Sequence, residues 1–82
     1  MLETVRKLKD SITNSQTRDL MERLGDEDWG LLKAMLFAAT EDDVIRNKEA
    51  FKVAIRKRNI PFLLSLHKLL NAEQQRLFNE LL

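Results

Sequence analysis

Thr40-Glu41-Asp42-Asp43-Val44-Ile45-Arg46-Asn47-Lys48-Glu49-Ala50-Phe51-Lys52-Val53-Ala54-Ile55-Arg56-Lys57-Arg58-Asn59 is the stretch whose reading decides the fold. At 100° per residue Val44, Phe51 and Ile55 fall on one side of a helix, with Ala54 beside them. Thr40 followed by Asp43 has the form of an N-terminal capping box, in which the threonine hydroxyl accepts a backbone N–H that the first helical turn leaves unpaired. Asn59 is the expected stop, and Asn47 offers a second cap that would divide the stretch into a short helix and a longer one.

The same grammar extends in both directions. Upstream, Trp29, Leu32, Met35, Leu36 and Ala39 form an apolar face, opened by Asp26, Glu27 and Asp28. Carboxylates there complement the positive end of a helix dipole. Gly25 suits the left-handed position that ends a shorter helix carrying Leu20, Met21 and Leu24. Thr13, Asn14 and Ser15 form a polar break in which Asn14 or Ser15 is the expected cap. Before it, Leu2, Val5, Leu8 and Ile12 predict a helix over residues 2–12. Downstream, Pro61 is expected to drive Ile60 out of the helical region and to occupy the first turn of a helix bearing Phe62, Leu63, Leu66, Leu69 and Leu70. Asn71 with Gln74 is a second capping box, and Leu77, Phe78, Leu81 and Leu82 mark the last helix.

These elements predict an all-α fold, a compact bundle of about six short helices packed at mixed angles, in a single domain over residues 1–82. Short helices are unstable alone, so their stripes must be buried against one another. The expected core is Trp29, Leu32, Leu36, Val44, Phe51, Ile55, Leu63, Leu66, Leu69, Phe78 and Leu81. Composition agrees: the 82 residues are 44% hydrophobic, with two Gly and one Pro. Leu dominates the apolar set and β-branched residues are few, which favours helix over strand. There is no Cys, which excludes disulfides, thiolate metal sites and thiol catalysis. No apolar run approaches the ~18–20 residues of a membrane span, and the N-terminus carries no charged-then-apolar signal pattern. The expectation is a cytoplasmic protein with no membrane association.

Charge is sorted into blocks. Residues 19–43 hold eight acidic and two basic side chains, a net of −6, and residues 44–68 hold seven basic and one acidic, a net of +6. Within the basic block Lys48, Lys52 and Arg56 fall in one helical row, with Lys57 and Arg58 at its end. These five residues are the candidate partner-binding site, an electropositive strip for the acidic surface of another protein. The competing reading is a solvated face whose terminal cations suit the negative end of the helix dipole. Nucleic acid is disfavoured, because no Tyr or Trp interleaves the cations to stack on bases and the total charge is only +1. The opposed blocks also allow a homodimer that pairs the acidic surface of one copy with the basic surface of the other.

No catalytic or metal-ligating set can be assembled. Residues 17–36 fit a helix-turn-helix template in their apolar positions, but its reading helix would open on three carboxylates, which phosphates repel. Asp26-Glu27-Asp28-Trp29-Gly30 contains a fragment of a calcium loop without the downstream oxygen ligands. His67 is the only histidine and is flanked by leucines. Asp42 and Asp43 diverge by 100° on a helix and do not form an acid pair. Leu66-His67-Lys68-Leu69-Leu70 matches a groove-docking pattern that any Leu-rich core helix produces. The expected function is therefore non-enzymatic, with no cofactor: an interaction module or small regulator that binds another protein through the basic helix face and nearby apolar residues.

Overall fold

Four of the five helices start at a side chain that accepts a backbone N–H from the first turn, namely Thr13, Thr40, Asn59 and Asn71. In the computed structural model, which describes residues 1–82, the helices are α1 (Leu2–Ser11), α2 (Asn14–Leu36), α3 (Glu41–Arg56), α4 (Ile60–His67) and α5 (Ala72–Leu81). The fold is all-α. α2 packs on α3 and α1 on α5, with α1 also touching α2 and α3.

Several boundaries differ from the sequence reading. α1 ends at Ser11, and Ile12 is already extended. The cap of α2 is Thr13 rather than Asn14 or Ser15, because Gln16 lies three residues on and returns a hydrogen bond to the Thr13 N–H. The expected helix end at Gly25 is a kink inside α2 instead. Gly25 has φ 80° and ψ 170° while the residues on either side stay helical. That left-handed φ strains any residue with a Cβ, so glycine lets the chain change direction with no connecting loop. Asn47 does not interrupt α3; its side-chain amide donates to the Ala34 carbonyl at 3.3 Å and so joins α3 to α2. α4 begins at Ile60, with Asn59 as the extended cap, because Pro61 in the first turn lacks only an N–H that the helix does not use. It ends at His67, leaving Leu69 and Leu70 in the following turn.

The core follows the predicted stripes with three exceptions. Leu32, Leu36, Val44, Phe51, Ile55, Leu66, Phe78 and Leu81 are buried as expected. Trp29, Leu63 and Leu69 are half-buried at its margin. Val5 and Leu8 of α1, with Leu20, Leu24, Met35, Leu70 and Leu77, fill the space instead, because α1 lies against α5. Phe51 and Phe78 meet edge to face at 6.1 Å between ring centroids, a geometry in which the positive rim of one ring faces the negative face of the other. Leu66 and Leu70 are buried, so the groove-docking pattern serves packing.

One buried polar cluster joins four helix ends. Gln16 and Gln74 are both third residues of their helices and both reach back to cap them. Their amides also bond each other twice: Gln16 Nε2 donates to Gln74 Oε1 at 2.6 Å, and Gln74 Nε2 donates to Gln16 Oε1 at 3.0 Å. Gln74 Nε2 further donates to the Ser11 carbonyl at 2.8 Å, and Gln16 Nε2 to the Leu69 carbonyl at 3.1 Å. Gln74 is 1% exposed, and a buried amide is tolerated only when its donors and acceptors are matched in this way.

Candidate functional site

The inner face of α3 is set by Val44, Phe51 and Ile55, which are buried, and by Asn47 on α2. Helical geometry then turns Ile45, Glu49, Lys52, Val53 and Arg56 outward. Of the five residues singled out in the sequence, Lys48 and Lys52 are half-buried along their stems, and Arg56, Lys57 and Arg58 are exposed. Long basic side chains cover apolar surface with the stem while the charged head stays in water. Ile45 and Val53 are exposed apolar residues on the outward side, which also carries the exposed Glu49; Val53 lies at its margin towards α2, in a recess shared with Glu27 and Asp28. A mixture of cations and apolar residues is what a protein-binding patch requires, since charge steers encounter and apolar contact holds the complex.

Arg58 stands apart from the other four. Its guanidinium bonds both Asp28 and the Leu24 carbonyl, with Nε at 3.0 Å from Asp28 Oδ2 and Nη2 at 3.2 Å from the Leu24 oxygen. It also lies 4.4 Å from the centroid of Phe62, and Arg23 lies 5.1 Å from the same ring. A ring with guanidiniums over it gains from the attraction of its negative face to each cation. Arg58 therefore ties the end of α3 to α2 and α4. Next to it an open recess of about 580 Å³ is bounded by Arg23, Lys57, Asn59 and Phe62. Arg23 and Phe62 were not among the sequence candidates. Arg23 sits in the acidic block, and no spacing rule links a residue of α2 to one of α4.

The charge blocks meet at few points. Asp28–Arg58 and Asp43–Arg46 are the only ion pairs between them. Lys48, Lys52, Arg56, Lys57 and Lys68 take part in no ion pair, nor do Asp19, Glu22, Asp26, Glu27 and Asp42. α3 as a whole is balanced, with its acidic residues at the start and its cations towards the end; the surplus positive charge lies from Lys48 to Arg58, and α2 carries five acidic residues against three basic ones. No protein-family model, curated protein or solved structure matches the chain. What the surface can do is read from its own chemistry.

His67 lies edge-on to Phe78 at 5.7 Å between centroids, and its Nε2 has no hydrogen-bond partner. No three His, Asp or Glu side chains converge on one point. No helix is long and apolar enough to cross a membrane.

Proposed function

We propose that this chain is a non-enzymatic binding protein, a small cytoplasmic regulator or interaction module that docks the acidic surface of another protein on the outward face of α3. One observation carries the reading: Lys48, Lys52 and Arg56 of α3 and Lys57 at its C-terminal cap have no ion-pair partner, and Ile45 and Val53 of the same helix are exposed. Unpaired cations raise the rate of encounter with an acidic partner, and the adjacent apolar side chains supply the area that slows dissociation. Arg58 contributes by holding the end of α3 against α2 rather than by contacting the partner.

The test is a double charge reversal, Lys52→Glu with Arg56→Glu. Proteins retained by the immobilised wild-type chain should be lost with the variant, while its helical circular-dichroism signal is unchanged. Retention at equal affinity removes the α3 face from the account. A second reading, a homodimer, draws on the five unpaired carboxylates Asp19, Glu22, Asp26, Glu27 and Asp42, which could meet the α3 cations of another copy. It predicts an assembly that dissociates as salt rises.

A further inference from the structure

On another side of the molecule, a cleft of about 400 Å³ opens between the end of α1 and the two halves of α2. The kink at Gly25 creates it by folding the second half of α2 back alongside the first. Ile12, Met21, Trp29 and Phe37 supply its apolar surface. Phe37 is 64% exposed and Met21 is 44% exposed, so neither is used by the core. Aromatic and methionine side chains are the types most enriched where proteins bind one another. Lys9 and Lys33 stand at the margin, with Lys9 Nζ at 5.2 Å from the Phe37 ring centroid. Neither lysine has an ion-pair partner, and no Asp or Glu lines the cleft.

We infer that this cleft is a second docking site, and that its occupant is an amphipathic peptide helix of a foreign protein, with apolar anchors flanked by carboxylates. Charge decides between occupants. Outside the cleft the most exposed apolar side chains of the chain itself are Ile60, Leu64 and Val53. Val53 is neighboured by Lys52, Arg56 and Lys57, and the row of Ile60 and Leu64 continues to Lys68. A second copy entering with these residues would bring cations onto Lys9 and Lys33. An acidic helix brings carboxylates to both lysines while its apolar row meets Trp29 and Phe37.

Trp29 is the only tryptophan and reports on the cleft directly. The probe is a synthetic, tryptophan-free amphipathic peptide with Leu at i, i+3, i+4 and i+7 and Glu on the flanks, compared with its analogue carrying Lys in place of Glu. The Glu peptide should produce a saturable blue shift of Trp29 emission, and the Lys analogue should bind at least about tenfold more weakly. Lys9→Glu with Lys33→Glu should reverse that preference, and Phe37→Ala should weaken both peptides. The inference is overturned by no saturable shift in the folded protein, by equal affinity for the two peptides, or by a preference that survives the lysine reversal. It is independent of the α3 face. If Lys52→Glu with Arg56→Glu abolishes the shift, the peptide sits on α3 and the cleft proposal fails.

Discussion

The Gln16–Gln74 clasp and the Asp28–Arg58 bridge both join helices distant in sequence, and they do so with opposite chemistry. The clasp is neutral, and its amides bond each other as well as the Ser11 and Leu69 carbonyls. The bridge is charged; its Asp28 side chain is 13% exposed and its Arg58 side chain 37%. Around the clasp each polar group is paired, so the four helix ends that meet there have one arrangement. Around the bridge the charges are not locked into pairs: Arg23 and Lys57 stand beside it without ion-pair partners, and so does Glu27. The first region ties four helix ends together, and the second leaves charged groups without ion-pair partners at the surface, where the proposed docking face ends.

Replacing Gln74 with Ala should have the largest effect on this contrast. It removes the side-chain partners of the Asn71 N–H and the Ser11 carbonyl and leaves the Gln16 amide only its bonds to Leu69 and Thr13, at a cost of about 2 kcal/mol. Urea denaturation should give the same loss at low and high salt. Arg58→Ala should cost less, about 1 kcal/mol at low salt, and the loss should shrink as salt rises. A salt-independent loss at Arg58 would show that its contact with Phe62, not its charge, holds α3 in place.

The smallest effect concerns Glu73 on α5. A hydrogen bond from the Arg76 side chain holds its carboxyl below the usual carboxylate range; partial desolvation opposes this, and attraction to Arg76 and Lys7 reinforces it. A carboxyl with a depressed folded pKa stabilises the fold above its unfolded pKa, and that contribution is lost as the pH falls through the folded value. The difference in urea midpoint between wild type and Glu73→Gln should therefore be small at neutral pH and vanish in acid.

Much of the fold was legible in the sequence because local chemistry wrote it there. Thr40 before Asp43 and Asn71 before Gln74 each mark a helix start that the structure keeps, whereas Asn59, which reads as a stop, is the cap of α4 with Ile60 as its first residue. The apolar periodicity of Val44, Phe51 and Ile55 located the inner face of α3 and, by difference, its outer one. What was not legible depends on contacts between elements. Asn47 reads as a cap until α2 supplies the Ala34 carbonyl for its amide. Gly25 reads as a helix end, since a left-handed residue followed at once by more helix has the same sequence signature. Thr13 is an exception of another kind: with Gln16 it forms the same local capping box as Asn71 with Gln74, so its cap is written in the sequence as plainly as theirs. In the candidate site, helical spacing grouped Lys48, Lys52 and Arg56 in one row, with Lys57 and Arg58 at its end. The engagement of Arg58 with Asp28, and its stacking with Arg23 on Phe62, required the packing of α2, α3 and α4.

The central claim is that the α3 cations are free in solution and not satisfied by another copy of the chain. Light scattering on a sizing column at low and high salt tests it most directly. The account predicts a monomer of 9.6 kDa under both conditions. A dimer at low salt that dissociates at high salt would contradict it, because the acidic residues of α2 would then already occupy the surface assigned to a foreign partner.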